Sequence, residues 1–347
     1  MRATRLFRDS IVLAAVCCAG AGVHAAEPTK KEVQPMTSKQ EQAARLLELP
    51  DGDYFAFGQD LQTKLVDALR ALSNAADKAP APLLALGAPR RVQLGEQRDV
   101  PVLVGRVQSG LRAWQVNPVT NLHLLARNLA TGELSVAQPL KSMRRADQEL
   151  ASGKGTPPDS VTAATVYTSV EAHNLQEKLE VPLAQGTFAI TAIVNELHSN
   201  TVQMRIESSK PAPAVAKPPA PQNYVRHRLE ARPMPSTVVQ VPQSASGREE
   251  IAVRVAVQVS EDAGVLQSSS AQPVWPSHVI LVKLDERPQV IPVVVPVQRI
   301  GSPPKSYNAV FQVDLRAAVK APLSGAYQVY VDVGRGLLGP YPLTVAQ

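Results

Sequence analysis

The sequence contains very little cysteine. Only Cys17 and Cys18 occur among its 347 residues, and both lie in segment 1–25, which has the pattern of a secretory signal peptide. In that segment basic residues precede an apolar run at 11–18, and 23–25 end in the small-residue pattern that signal peptidase recognises. Removal of the segment would leave a mature chain without a disulfide, a thiol nucleophile or a thiolate metal site. We therefore expect an exported protein, periplasmic or secreted.

Long apolar runs are also absent. The run at 11–18 is too short to cross a bilayer, so we expect no stable transmembrane insertion after signal cleavage. A lipoprotein acylated at Cys17 or Cys18 is disfavoured, because 14–16 lack the leucine that usually stands three residues upstream of the acylated cysteine.

Charge of one sign does not dominate. The formal net charge is +6, and it falls to +4 without segment 1–25, which carries three Arg and one Asp. Aromatic residues make up only 4% of the chain, and no basic stretch is interleaved with them. Because nucleic-acid binding combines basic surfaces with stacking aromatics, we expect no nucleic-acid partner.

Recognisable catalytic constellations are lacking too. No two histidines of the mature chain have the spacing of a helical metal pair, and no Gly-x-Ser-x-Gly motif is present. The glycines at 153–155 do not have the spacing of a phosphate loop. The sequence therefore assigns no catalytic residue, no cofactor-binding residue, no metal ligand and no cofactor, and it predicts that the protein is not an enzyme. The five histidines outside segment 1–25 are His123, His173, His198, His227 and His278.

Two of these histidines have a predicted place. His123 stands between Leu122 and Leu124 in a predicted strand, so we expect its side chain on the solvated face. His198 belongs to a predicted turn at 198–200, where Ser and Asn are ordinary turn formers.

What the sequence does contain is a long internal repeat. Segment 322–333 gives a proline, a turn, a glycine and an alternating apolar strand, and 182–194 gives nearly the same pattern. After a one-residue slip, Gly186 aligns with Gly325 and Phe188 with Tyr327. The apolar positions stay in step over about 40 residues, which predicts two copies of one domain.

The order of strand, short helix or turn, Gly-x-aromatic, strand, hairpin and strand resembles the end of an immunoglobulin-like β-sandwich. The resemblance implies that the aromatic residue opens the penultimate strand and that its hydroxyl bonds the backbone just upstream. Tyr327 fits that role, whereas Phe188 fits it only as a packing residue. Trp275 resembles the core tryptophan of such domains more closely than Trp114 does. Alternatively, both repeat aromatics are plain core residues of two-sheet sandwiches, which leaves the fold prediction unchanged.

The predicted fold is mainly β, with two immunoglobulin-like β-sandwich domains in tandem behind a short α-helical N-terminal region. Seven strand candidates at regular intervals form the second sandwich, and 251–259 show the clearest alternation. The predicted divisions are a signal peptide at 1–25, a disordered stretch at 26–37, the helical N-terminal region at 38–89, the first sandwich at 90–208, a Pro/Ala-rich linker at 209–222 and the second sandwich at 223–347.

Two helices are predicted in the N-terminal region. Residues 38–41 match a capping box and start the first helix, which stops at Pro50 before a turn at 51–53. The second helix covers about 60–76 and carries four leucines on one face. Packing of these apolar stripes on each other or on the first sandwich is favoured over docking of a partner.

The two copies differ most at 141–164 in the first. This stretch has mixed charge and no aromatics, so a solvated loop is favoured over a binding loop. The alternating prolines of the linker predict a semi-rigid extended spacer of about 30 Å, so the two sandwiches need not touch.

Three functions stay open. The leading hypothesis is a non-catalytic exported cell-envelope protein that acts as a binding, scaffold or adhesion module. Its partner would be an unknown envelope protein or glycan, and the sequence does not specify its oligomeric state. The second is chaperone-like client binding by strand addition in the periplasm, ranked lower because pilus chaperones lack a helical N-terminal region and a long spacer. The third is an enzyme with an unrecognised site near the N-terminal helices, drawing on Asp51, Asp53, Tyr54 and His173.

Overall fold

The structure is a computed structural model. It describes residues 38–73, 82–94, 99–109, 122–137, 166–179, 183–194, 196–208, 225–227, 237–246, 249–260, 265, 273–284, 286–300, 306–334 and 336–346. The predicted signal peptide, the stretch 26–37, the loop 141–164, the linker 209–222 and Trp114 lie outside the described residues.

The described chain is mainly β, as predicted. Its helices are α1 Ser38–Leu46, α2 Asp51–Phe55, α3 Gln59–Ser73, α4 Leu175–Lys178 and α5 Leu315–Ala318. The strands of its first part are β1 Leu83–Gly87, β2 Arg91–Leu94, β3 Pro101–Ser109, β4 Leu122–Asn128, β5 Leu134–Val136, β6 Val166–Asn174, β7 Gly186–Val194, β8 Leu197–His198 and β9 Val202–Ser208. Those of its second part are β10 Val225–His227, β11 Val238–Gln240, β12 Ser244–Ala245, β13 Ala252–Ser260, β14 Val274–Val282, β15 Gln289–Pro296, β16 Gln298–Ile300, β17 Ser306–Asp314, β18 Gly325–Asp332 and β19 Leu337–Val345.

Strands β1 to β9 form two sheets that face each other, called here the first sheet pair. Sheet 1 has the order β1-β3-β6, and sheet 2 has the order β2-β9-β7-β4-β5, with β8 added to β7. Alternate residues of β3 in sheet 1 and of β4 in sheet 2 meet in one apolar core, which includes Val102, Val104, Leu124 and Ala126. The first sheet pair is therefore a two-layer β structure with its core between the layers.

Strands β10 to β19 form the second sheet pair in the same way. Sheet 3 has the order β10-β17-β13-β11 with β16 also on β17, and sheet 4 has the order β12-β19-β18-β14-β15. The shared core draws the inward valines of β13 together with Trp275 of β14, whose ring lies edge to face with Phe311 at 6.5 Å. The clean alternation predicted at 251–259 is present in β13, where buried and more exposed residues alternate.

The two sheet pairs repeat the same strand pairings. Sheet 2 and sheet 4 each begin with a short strand that runs parallel to the last strand, β2 on β9 and β12 on β19. In register, Gly186 is the Cα partner of Ile206, as Gly325 is of Val345. The alignment of the two glycines in the sequence is therefore matched by their places in the sheets.

The aromatic residues of the repeat behave as the resemblance implies. The Tyr327 hydroxyl accepts a hydrogen bond from the backbone N–H of Ser324 at 3.2 Å. Phe188 has no hydroxyl and is buried in the core of the first sheet pair. Both therefore anchor the start of the penultimate strand, one by packing and a hydrogen bond and the other by packing alone.

The N-terminal helices cover the outer face of sheet 1. Helix α1 packs on β1, and α3 packs on β3 and β6. Leu47 and Leu69 are fully buried in the apolar cluster that also contains Leu103 and Val170. The predicted packing on the first sandwich is thus confirmed. The predicted turn at 51–53 instead forms the short helix α2. Asp51 and Asp53 lie in its first turn, where their negative charges interact favourably with the helix dipole.

One predicted boundary needs correction. The helical region predicted at 38–89 contains strand β1, which pairs with β3 in sheet 1. All five residues of β1 are buried, because helices cover one side of sheet 1 and the core covers the other. A strand buried on both faces shows no alternation of apolar and polar residues, so the segment of β1 carries no strand signal in the sequence. The limits of the domains themselves stay predictions.

Among the described residues, no helix combines the length and the apolar character that crossing a membrane requires.

The close approach of α1 to β1 gives a first prediction. A Cβ added at Gly87 would overlap the backbone carbonyl oxygen of Leu47, which cannot move aside as a side chain can. We expect Gly87→Ala to destabilise the protein by about 1–3 kcal/mol in urea unfolding, as overpacked sites do. Gly52→Ala is the matched control, because no atom lies within 4 Å of an added Cβ there. Equal stabilities of the two variants would contradict this packing.

Candidate functional site

The outer faces of sheet 2 and sheet 4 pack against each other, and we call this contact the seam. Its apolar members form one buried cluster of side chains from both sheet pairs. They are Leu125, Val136 and Ile193 from sheet 2 and Ile280, Val282, Tyr330 and Leu337 from sheet 4. The sequence predicted that a spacer would let the two sandwiches stay apart, but the structure brings them together, because both outer faces carry apolar side chains that need cover.

A buried ion pair crosses the seam. Arg127, on β4, donates through Nη1 to Oδ2 of Asp332, on β18, and through Nη2 to the backbone carbonyl of Pro276. Arg127 is 2% exposed and Asp332 is 3% exposed. Removing two charges from water is costly unless they are paired and hydrogen-bonded, and here each charge satisfies the other.

The local strand pairing explains why Pro276 can accept this bond. Strand β14 pairs with β18 only from His278 onward, so Pro276 lies beyond that ladder. Its carbonyl group is consequently left for a side chain, and the guanidinium fork reaches it and Asp332 at once.

His278 completes the cluster. Its Nδ1 lies 2.9 Å from Asp332 Oδ2, and the backbone N–H of Gly334 donates to Asp332 Oδ1 at 2.8 Å. Burial alone would raise the pKa of Asp332, but Arg127 and His278 outweigh it and hold that pKa at about 2. Since an ionised carboxylate can only accept hydrogen bonds, His278 donates to Asp332 from Nδ1.

A cavity of about 470 Å³ opens beside this histidine, at the rim of the seam. It lies between the β4–β5 turn of the first sheet pair and the β14–β15 surface of the second. Its lining comprises Thr131, Gly132, Glu133, Leu134, Pro276, Ser277, His278, Val290, Pro292 and Val293. The turn approaches β14 so closely that a Cβ at Gly132 would overlap the ring of Pro276. Both sheet pairs therefore build the walls, and the cavity depends on the seam being closed.

His123 occupies the other part of the seam. The sequence placed its side chain on a solvated face, and that expectation is wrong, because sheet 4 covers the face and His123 is 0% exposed. Among the described residues neither ring nitrogen of His123 has a hydrogen-bond partner. Burial lowers the pKa of His123 to about 4, so the ring is neutral near pH 7.

His198 and its neighbours tie the seam to sheet 1. The His198 ring meets Tyr330 of β18 edge to face at 6.1 Å. Asn200 accepts from the Leu86 backbone N–H at 2.8 Å and donates to the Leu86 carbonyl at 2.9 Å. The predicted turn at 198–200 thus begins in β8, and its side chains contact both sheet 1 and the second sheet pair.

The residues of the hypothetical enzyme site have structural partners. Asp51 accepts from the backbone N–H groups of Arg90 and Arg91 at 2.7 and 3.2 Å. The Tyr54 hydroxyl donates to the carbonyl of Leu47, and burial raises its pKa. Asp51 and Tyr54 therefore have a structural role, because their hydrogen bonds hold α2 in place.

His173 and Asp53 are the other two members of that hypothetical site. His173 lies in β6, with Nε2 3.8 Å from Glu171 Oε2, and Asp53 is exposed on α2. In the part of the chain that the structure describes, no three His, Cys, Asp or Glu residues gather closely enough to hold a metal ion.

The pKa of His123 predicts how stability responds to acid. The folded-state pKa of about 4 is below the ordinary value of 6.5, so the unfolded chain takes up this proton first. Stability is therefore complete above pH 6.5 and falls as the pH drops toward 4, by about 3 kcal/mol in all. We expect His123→Leu to remove this loss in urea unfolding measured across that range.

Asp332 supplies an internal control for that experiment. Its pKa of about 2 in the folded state is lowered from 3.8, so its contribution is lost only below about pH 4. The loss below pH 4 should remain in His123→Leu. An unchanged slope between pH 6.5 and 4 in the variant would show that His123 is not buried as a neutral ring.

Comparison of the sequence with protein-family models and with curated proteins finds no match.

Proposed function

We propose that the chain is a non-catalytic, exported cell-envelope protein in which two immunoglobulin-like sandwiches form one rigid binding module. The observation that carries the proposal is the seam, where Arg127 and Asp332 fix the two sheet pairs in one arrangement. The shared strand pairings and the Tyr327 hydrogen bond support the immunoglobulin-like assignment. Rigid placement of two sandwiches lowers the entropic cost of binding a partner across both of them.

The cavity at the seam is the binding site in this proposal. The acidic side chain of its lining is Glu133, whose carboxylate accepts hydrogen bonds at the rim of the cavity. Such a site selects a group that is rich in N–H donors and positively charged.

The rest of the lining fits the stem of a basic side chain. Leu134, Val290 and Pro292 form apolar walls, which suit the methylene chain of a lysine or arginine. The volume of about 470 Å³ is within the range of pockets that enclose a small ligand or a few side chains. Among the described residues, the lining contains no Phe, Tyr or Trp side chain for a sugar ring to stack on, so a polypeptide partner is favoured over a glycan.

Strand addition is disfavoured at two sheet edges. The ladder between β14 and β15 runs on through Pro292 and Pro296, so the N–H groups that these prolines lack are the outward ones an added strand would need. On β6, the outward carbonyl of Val170 is taken by Gln62 Nε2 of α3 at 2.8 Å. The chaperone-like alternative therefore gains no support from these edges.

A site-specific cross-linking experiment tests the proposal. A photoreactive residue in place of Thr131 lies in the cavity wall, and one in place of Arg254 lies on the exposed outer face of sheet 3 as the matched control. We expect the first, and not the second, to give an adduct with an envelope protein in intact cells. Mass spectrometry of the adduct should place a lysine or arginine of the partner beside the probe.

Charge reversal in the cavity is the decisive companion variant. Glu133 is exposed at the rim, so Glu133→Arg leaves the fold unchanged while repelling a cationic group. The Thr131 adduct should fall at least about tenfold in this variant, as the loss of about 1.4 kcal/mol implies. Equal adducts at both probe positions, an adduct indifferent to Glu133→Arg, or recovery of the protein in the cytoplasmic fraction would each contradict the proposal.

A further inference from the structure

The seam joins the same face of both sheet pairs. The aligned glycines Gly186 and Gly325 fix which residues of β4 and β14, and of β7 and β18, are equivalent. The strand registers then match each position of the first sheet pair with one of the second. The matched positions are 123 with 278, 125 with 280, 127 with 282, 191 with 330, and 193 with 332. Each of these positions points toward the seam in its own sheet pair, because they alternate with the core-facing residues.

The contacts across the seam follow an approximate two-fold axis. Arg127 meets Asp332 across the seam. The positions equivalent to these two are Val282 and Ile193, and both belong to the apolar cluster of the seam, as such an axis requires. Arg127 and position 123 are two residues to either side of Leu125, which places the axis close to Leu125 and its equivalent, Ile280. The seam is thus built like the isologous interface of a homodimer, within one chain.

The two faces differ at the positions that matter for pairing. We call the seam-facing side of sheet 2 the first face and that of sheet 4 the second face. The first face carries Arg127 and Ile193, and the second face carries Val282 and Asp332 at the equivalent positions. When the first face meets the second, the charges meet each other and the apolar residues meet each other. When two first faces meet, each Arg127 faces an isoleucine. When two second faces meet, each Asp332 faces a valine.

We infer that the Arg127–Asp332 pair makes the seam selective, so that each face accepts the other face of the chain and rejects a second copy of itself. Either like-with-like pairing buries two charges of the same sign without the ion pair that offsets their desolvation across the seam. Replacement of one charge by the apolar residue of the other face removes this barrier for one face only. The selectivity is independent of whether the cavity binds a basic side chain.

Exchange of equivalent residues tests this inference in the full-length chain. Arg127→Val makes the first face apolar at both positions and leaves Asp332 without its guanidinium inside the chain. Opening of the seam then hydrates Asp332 and lets two first faces pair between chains. We expect this variant to change from monomer to mainly dimer as its concentration rises in analytical ultracentrifugation. Asp332→Ile should dimerise in the same way through the second face.

The double variant Arg127→Val/Asp332→Ile is the control. Its faces carry apolar residues at all four positions, and the connected faces keep the advantage of their high effective concentration. We therefore expect a monomer with a closed seam, in contrast to both single variants.

Cysteines near the axis show which face pairs. Cys17 and Cys18 are the only cysteines of the chain, and both are changed to serine for this experiment. Leu125→Cys should give a disulfide-linked dimer in the Arg127→Val background and not in Asp332→Ile. Ile280→Cys should give the reverse pattern, and neither should link chains of otherwise wild-type sequence.

The face-specific cross-links with a monomeric double variant would establish the inference. Single variants that stay monomeric, that link through both cysteines alike, or that unfold without dimerising while the double variant remains folded would overturn it. These outcomes leave the cavity proposal untouched, because its readout is the adduct at Thr131.

Discussion

Burial of one ion pair at the seam governs the arrangement of this protein. Arg127 and Asp332 are both almost completely removed from water, and the ion pair between them forms only when both sheet pairs are in place. Removal of one partner from such a pair typically destabilises a protein by about 3–5 kcal/mol, because the remaining charge stays buried and uncompensated. The seam is consequently either closed in one register or open. That property fixes the position of His278 and the walls of the adjoining cavity.

The same need for cover organises the remaining layers. Helices α1 and α3 cover the outer face of sheet 1, and sheets 2 and 4 cover each other. The outer face of sheet 3 instead carries polar side chains, where Arg254 bonds Gln312 and Gln312 bonds Glu250. In the described part of the chain Leu284 is the one large apolar side chain that is substantially exposed. Rims and turns, including the turn at Gly132, are then the places where recognition can occur.

Much of the fold follows from local sequence. The alternation in β13 and the duplicated glycine-aromatic motif are signals that a single strand carries by itself, and both are present in the structure. Strands covered on both faces carry no such signal, since β1 is buried throughout and β14 is buried at all but its first residue. Apolar residues on both faces of β14 are a sign of a covered sheet, but they do not say what covers it.

The site is out of reach of the sequence for a related reason. Arg127 and Asp332 are two ordinary charged residues until the register of β14 and β18 and the stacking of two sheets bring them together. His123 shows the limit of local alternation. Alternation correctly predicts that its side chain points away from the core of its own sheet pair, but it does not show that the second sheet pair buries that side chain.

The separation of 205 positions between Arg127 and Asp332 in the sequence has a consequence for biosynthesis. The chain is made from its N-terminus at about 5–20 residues per second, and sheet 2 is complete once Ser208 has been added. Asp332 follows after roughly 120 more residues, so the outer face of sheet 2 stays uncovered for roughly 6–25 seconds. During that interval the helices already shield sheet 1, which limits the apolar surface open to aggregation. The guanidinium of Arg127, still hydrated, serves as a gatekeeper in the middle of the waiting face. Arg127, which pairs with Asp332 in the folded protein, thereby also limits aggregation of the incompletely synthesised chain.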